Sequence, residues 1–309
     1  METRKVGVLD ATVIGLGCNN FGRRLDAQQS ALAINAALDN GINFFDTADI
    51  YGAGQSEEYL RRALGSRRKD VLIATKFGSR MEGAGSGASA DYIRQAVEAS
   101  LKRLGTDYID LYQLHNPDPN VPIAETLGAL DALVKAGKVR EIGCSNFSAA
   151  QIAEAEAESQ SNGWARFVSV QNHYSLIHRE PEAEVLPECD RLGLAFLPFF
   201  PLASGILTGK VHRGEAAPQG TRLSEEHNKR WLTDANFAIV EALIPFAEAR
   251  GHTLLELAFA WLLAHPAVTS VIAGATKPEQ VRANAAAAGW QLTQADLAEV
   301  DRLVRQAVS

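Results

Sequence analysis

Cysteine is scarce here: 309 residues carry three, Cys18, Cys144 and Cys189. An odd, widely spaced set provides neither a disulfide framework nor a CxxC metal pair, so each thiol reads as a small buried residue and no metal site is expected. Long apolar runs are missing too. No stretch approaches the ~20 residues that cross a bilayer, and the opening "METRKVGVLD" lacks the apolar segment of a secretory signal. Positive charge is in deficit: the net charge of −7 argues against nonspecific nucleic-acid binding, which requires a basic surface. No Pro/Ser-rich linker divides the chain. These absences leave the expectation of one cytoplasmic domain over residues 1–309, with neither nucleic acid nor membrane as partner. A hydrophobic content of 46% suffices for one large core.

What is present is an alternation. An opening stretch, "RKVGVLDATVIGLG", can form a hairpin. Short apolar runs then read as strands at Val13–Leu16, Ile42–Phe45, Val71–Thr75, Tyr108–Leu114, Val139–Gly143, Phe167–Val170, Leu194–Pro198 and Ser270–Ile272. Amphipathic segments separate them, among them Ala27–Asp39, Asp91–Leu104, Ile123–Lys135, Ala149–Ser161 and Ala235–Arg250. In Asp91–Leu104 the residues Ile93, Val97, Leu101 and Leu104 recur at helical spacing and give one apolar face. Eight near-continuously apolar strands between helices imply a parallel sheet covered by helices. The expected fold is α/β, an eight-stranded (β/α)8 TIM barrel with an N-terminal β-hairpin and extra helices. The extra helices are one of the two patterns at 235–250 and 254–264, and Gln294–Gln306. Stretches 83–89 and 212–230 read as flexible loops. A doubly wound sheet is the rival, but "GLGCNNFG" has the wrong spacing for GxGxxG.

Polar residues follow the strands directly: Asp46, Lys76, His115, Ser145–Asn146 and Gln171–Asn172. In such a barrel the C-terminal strand ends converge on one mouth, where chemistry belongs. One polar residue at a strand end is ordinary; five together point to a site. "FFDTADIYG" adds Tyr51 just past Asp46.

"FDTADIYG", "IATKFG", "LYQLHNPD", "IGCSNF", "QNHYSL" and "PLASGILTGK" resemble the signatures of the aldo-keto reductases, in order, from about residue 5 to 290. The resemblance implies a β/α barrel that binds NADP(H) across its mouth and reversibly reduces a small-molecule carbonyl compound. It implies a tetrad of Asp46, Tyr51, Lys76 and His115, with Tyr51 as proton donor. The chemistry is coherent. Hydride addition builds negative charge on oxygen, so a donor must neutralise it. Free tyrosine has a pKa of about 10, and a Lys76 ammonium is expected to draw it down. Asp46 would hold Lys76 charged, and a neutral His115 would donate to the substrate oxygen.

The resemblance also assigns Leu202, Ser204 and Gly205 to the pyrophosphate, and Ser145, Asn146 and Gln171 to the nicotinamide carboxamide. Phe199 would stack on the ring, for which a flat apolar face suffices. Lys210, Arg222 and Lys277 are the cations available to a 2′-phosphate, and Gly274, Thr276, Gln280 and Asn284 belong to the same adenosine end. Asn19 and Asn20 read equally as substrate-pocket residues or as turn residues bonded to local backbone. Trp231 either lines the pocket or covers the barrel. Two other functions compete: a Schiff-base aldolase using Lys76, and a cofactor-binding, redox-sensing regulatory subunit. Substrate identity and oligomeric state are not legible.

Overall fold

The structure, a computed structural model, describes residues 1–81, 83 and 85–308. Strands β1 (Thr3–Val6) and β2 (Leu9–Thr12) form the antiparallel hairpin, turning at Gly7 with φ 58°. Eight strands follow: β3 (Ile14–Gly17), β4 (Phe44–Asp46), β5 (Leu72–Phe77), β6 (Ile109–Leu114), β7 (Val139–Ser145), β8 (Phe167–Gln171), β9 (Ala195–Phe196) and β10 (Val271–Gly274). All are parallel, in the order β10-β3-β4-β5-β6-β7-β8-β9. Bridges Phe196↔Val268 and Phe199↔Ile272 join the two ends and close the ring.

Period-two alternation sorts the side chains. Inside the barrel, Phe44, Ala74, Leu111, Ala195, Leu197 and Ile272 pack on Val6, Leu9 and Ala11, so the hairpin plugs the base. Glu141 Oε1 accepts from the Val8 N–H at 2.7 Å and fixes the hairpin turn. The outward faces meet the helices in the main apolar core.

The strands run slightly further than the apolar runs suggest. Asp46 pairs with Ala74 and Lys76 with Gln113 inside the ladder. Backbone pairing is indifferent to a polar side chain when that side chain finds partners at the mouth. Conversely, the expected strand Leu194–Pro198 shrinks to two residues, because Pro198 and Pro201 cannot donate to a ladder. The Pro198 carbonyl still accepts from Ile272 at 3.0 Å.

Helices α1 (Ala27–Asp39), α2 (Gln55–Leu64), α3 (Ala90–Leu104), α4 (Ile123–Lys135), α5 (Ala149–Asn162), α6 (Val185–Leu192), α7 (Asp234–Glu248), α8 (Leu254–Leu263), α9 (Pro278–Ala286) and α10 (Gln294–Ala307) surround the sheet. Capping boxes open α1 (Asp26 with Gln29), α5 (Ser148 with Gln151), α8 (Thr253 with Glu256) and α10 (Thr293 with Asp296). The additional α10 packs on α7. Stretch 212–230 is not a plain loop: it folds into short turns at Arg222–Ser224 and Glu226–Trp231, anchored by buried Leu223 and Asn228. In 83–89, residue 84 lies outside the described residues.

Candidate active site

Asp46 ends β4, and five residues later the chain makes a tight turn, Tyr51–Gly54. Gly52, Ala53 and Gly54 all have positive φ. A Cβ at Gly52 would lie 2.8 Å from Gly22 Cα and Phe21 O, so only glycine lets this turn press against the loop after β3. The turn sets Tyr51 above Lys76.

Lys76 is completely buried and Asp46 nearly so. The Lys76 Nζ donates to Asp46 Oδ1 and Oδ2 at 2.8 and 2.7 Å and to the Thr47 carbonyl at 2.9 Å. The same Nζ lies 5.3 Å from the centroid of the Tyr51 ring. Gln171 Nε2 donates to Asp46 Oδ1 at 2.8 Å from the other side. A buried pair of charges persists only with its hydrogen bonds completed in this way. The Tyr51 and His115 rings meet edge to face at 5.9 Å.

Burial is the largest influence on Lys76 and favours its neutral form, but Asp46 and Tyr51 together outweigh it and the pKa is raised. Lys76 is an ammonium. Burial also dominates Tyr51 and raises its pKa; Lys76 opposes that without reversing it. The expected net lowering of the phenol is therefore not found, because desolvation of the phenolate outweighs the neighbouring cation. His115 is lowered to about 3 by burial and then by Lys76, and its Nδ1 is buried without a partner among the described residues. It is neutral at physiological pH. A histidine buried neutral contributes stability that is complete above its unfolded pKa, near 6.5, and is lost as pH falls toward about 3. Acid unfolding followed by circular dichroism should show this dependence, and His115→Gln should remove part of it.

A cavity of about 830 Å³ opens beside these groups; of the residues singled out for catalysis, cofactor and substrate all but Lys76 line it, and Asn172 and Trp231 do not. Its floor includes the paired glycines Gly17 and Gly274. A Cβ at Gly274 would be in ordinary contact with Asn19 Oδ1 and Asn20 Nδ2 at 3.5 Å and with Arg222 at 3.7 Å, so these side chains stand over that glycine. Phe200 and Ser204 hold positive φ on the wall, strain of the kind that concentrates at ligand clamps. The Lys210 and Lys277 side chains line the cavity, and neither has a hydrogen-bond or ion-pair partner among the described residues. The cavity suits a long, polar, anionic ligand.

Several of the expected donors are engaged within the protein. Ser145 Oγ donates to the Gln171 carbonyl at 2.7 Å, and Asn146 Nδ2 donates to the His115 carbonyl at 3.0 Å. Ser204 Oγ donates to Asn228 Oδ1, and Gln280 Oε1 accepts from the Thr276 N–H and hydroxyl. Arg222 reaches across the mouth to Asn19 Oδ1 at 2.5 Å and Asn20 Oδ1 at 3.1 Å, over the Phe200 ring. Asn20 Nδ2 also donates to the Ala275 carbonyl at 3.2 Å. The two asparagines thus brace the mouth while lining the cavity.

Sequence reasoning missed the strap that Arg23 and Arg24 make with Glu225. It also missed a ring column, His178 on His173 at 3.8 Å and His173 on Phe199 at 5.6 Å, with Trp231 against the edge. Trp231 is outside the cavity lining and covers this column. Spacing within "QNHYSLIH" gave no periodic signal for it.

The comparison with known proteins decides the family. Residues 13–305 match the sequence model of the Aldo/keto reductase family. The chain belongs to the aldo/keto reductase family. Among its relatives, the Aldo-keto reductase YhdN of Bacillus subtilis is 36% identical over 313 residues, covering 97% of this chain and 92% of that protein. The Uncharacterized oxidoreductase YqkF of the same organism is 36% identical over 315 residues, covering 99% and 97%. A Probable voltage-gated potassium channel subunit beta of Arabidopsis thaliana is 37% identical over 273 residues, covering 85% and 83%. Membership makes the chain an oxidoreductase of a family that generally uses NAD(P)H. Among its described residues no helix is long and apolar enough to cross a membrane.

Proposed function

We propose that this protein reduces an aldehyde or ketone to the alcohol with NADPH, reversibly, and that Tyr51 is the proton donor. The observation that carries this reading is the buried Asp46–Lys76 pair opening through Tyr51 onto the cavity beside a neutral His115. NADPH, when bound, supplies the hydride. Tyr51 gives its proton to the oxygen as negative charge develops there, and Lys76 stabilises the phenolate left behind. Asp46, held by Gln171, keeps Lys76 charged and aimed. His115 can donate to the same oxygen from its neutral ring.

In this reading Ser145, Asn146 and Gln171 would hold the carboxamide, Phe199 the nicotinamide face, and Leu202, Ser204 and Gly205 the pyrophosphate; all of them line the cavity. Lys277 and Lys210, both without a partner among the described residues, are the favoured partners of the 2′-phosphate, whereas Arg222 is committed to the asparagines. Lys277→Ala should therefore weaken NADPH roughly ten- to a hundredfold, the worth of a hydrogen bond to a charged group, and barely change NADH. Fluorescence titration with both nucleotides measures this; equal losses remove Lys277 from the phosphate site. The function itself is tested by NADPH oxidation against a panel of sugars, aliphatic and aromatic aldehydes, and ketones.

A Schiff-base role for Lys76 is disfavoured by its raised pKa, since that chemistry starts from a neutral amine. Substrate trapped on Lys76 by borohydride without nucleotide would restore it. The plant relative named as a channel subunit favours a second reading, a nucleotide-binding regulatory subunit. Tight nucleotide binding with no turnover across the whole panel would select it.

A further inference from the structure

Behind Phe199 stands the column of rings that the proposed proton transfer does not use. Phe199 lines the cavity, whereas His173 and His178 do not. Local backbone builds the column. Past the end of β8 the chain keeps pairing: the Phe199 N–H donates to the Asn172 carbonyl at 3.1 Å, and the Tyr174 N–H donates to the Phe199 carbonyl at 3.4 Å. His173 is therefore held beside Phe199 from both flanks. A tight turn follows, in which Ser175 and His178 exchange backbone hydrogen bonds at 3.0 and 3.1 Å, and buried Leu176 anchors it. The turn folds His178 back over His173, with ring centroids 3.8 Å apart and planes 8° from parallel.

Backbone pairing fixes where the Phe199 main chain lies but leaves the ring free to turn; packing decides a side chain's rotamer. The rings supply that packing. His173 stacks on Phe199 at 5.6 Å with planes 16° from parallel, and Phe200 meets Phe199 edge to face at 5.3 Å. His173 is braced in turn by Phe200 and Trp231, which stand nearly perpendicular to it at 5.8 and 5.3 Å. Its Nε2 is buried with no partner among the described residues. From that atom it makes no hydrogen bond; what it gives the column is a flat face. Burial first, then His178 and Arg230, bring its pKa down to about 3, so no charge is lodged in the stack.

We infer that His173, backed by His178, is a positioning residue whose ring face holds the Phe199 ring in the plane that receives the nicotinamide. The inference rests on the reading of Phe199 as the nicotinamide's partner. A ligand-facing ring already fixed in its bound orientation has no rotamer freedom left to lose, so preorganisation of this kind appears as affinity. That affinity belongs to the nicotinamide end alone. Lys277 and Gln280, at the adenosine end, sit at the start of α9 and share no ring with the column.

Calorimetric titration of His173→Ala with NADPH and with 2′-phospho-ADP-ribose, which lacks the nicotinamide, tests it. The variant should bind NADPH roughly two- to tenfold more weakly, the worth of one aromatic pair, and bind the truncated nucleotide as the wild type does. His173→Phe restores a flat ring without the unpartnered nitrogen and should match the wild type with both. Equal losses for the two nucleotides, or no loss for NADPH, overturn the inference. Phe199→Ala should show the same selective loss, and His173→Ala added to it should cost little more, because His173 acts through that ring. Additive losses in the double variant overturn the inference as well. If His173→Ala does not fold, His178→Ala removes only the ring behind it and should weaken NADPH selectively but less; an unchanged NADPH affinity there counts against the inference in the same way. These are binding differences and need no turnover. A wild type that binds NADPH yet reduces no carbonyl sinks the reductase reading alone.

Discussion

Tyr51→Phe is expected to lower kcat for carbonyl reduction by about 10²–10⁴-fold, the usual contribution of a positioned general acid, while NADPH affinity stays nearly the same. The ring survives, so its edge contact with His115 and its packing over Lys76 survive. Only the hydroxyl, on which Lys76 acts against the effect of burial, is lost. Lys76 keeps Asp46 and Thr47, enough acceptors for its three N–H groups. The variant should therefore melt close to wild type. Single-turnover kinetics at saturating NADPH isolate the chemical step; undiminished turnover removes Tyr51 from the proton-transfer role.

Lys76→Met should have the second large effect, and on stability as well as activity. It leaves Asp46 as a buried carboxylate whose strongest partner is gone, with Gln171 Nε2 still donating at 2.8 Å. Breaking one side of a buried pair typically costs about 3–5 kcal/mol. Replacing both charges, as in Asp46→Asn with Lys76→Met, should recover much of that stability but none of the activity, because the phenolate then has no cation beside it. Urea unfolding of the two variants beside kcat measurements separates the contributions. If the double variant is as active as wild type, the ion pair is structural only.

The parts of the fold with a repeating physical cause were legible in the residues. Helical spacing in 91–104 and the boundaries 27–39 and 123–135 agree with α3, α1 and α4 to within one residue. Helix α2 was not identified, since beside the apolar Leu60 and Leu64 it buries Ser56 and Glu57, which carry no apolar signal. The short β9 was overestimated because a proline-bounded apolar run looks like a strand even where proline ends its ladder.

The site divides the same way. Its members could be named because polar residues interrupt apolar strands at fixed places, and a chain that does so five times must satisfy those groups together. Their protonation could not be named. Whether Lys76 lowers the Tyr51 phenol and whether Arg222 is free for a phosphate each depend on how much water is excluded and which neighbour takes which hydrogen bond. Sequence alone determined the barrel, the order of its strands and the side chains delivered to its mouth, because periodicity and backbone pairing are local in origin. Only the tertiary structure decided the charge states and the pairing of those side chains, because desolvation and Coulomb energy depend on distances between residues far apart in the chain.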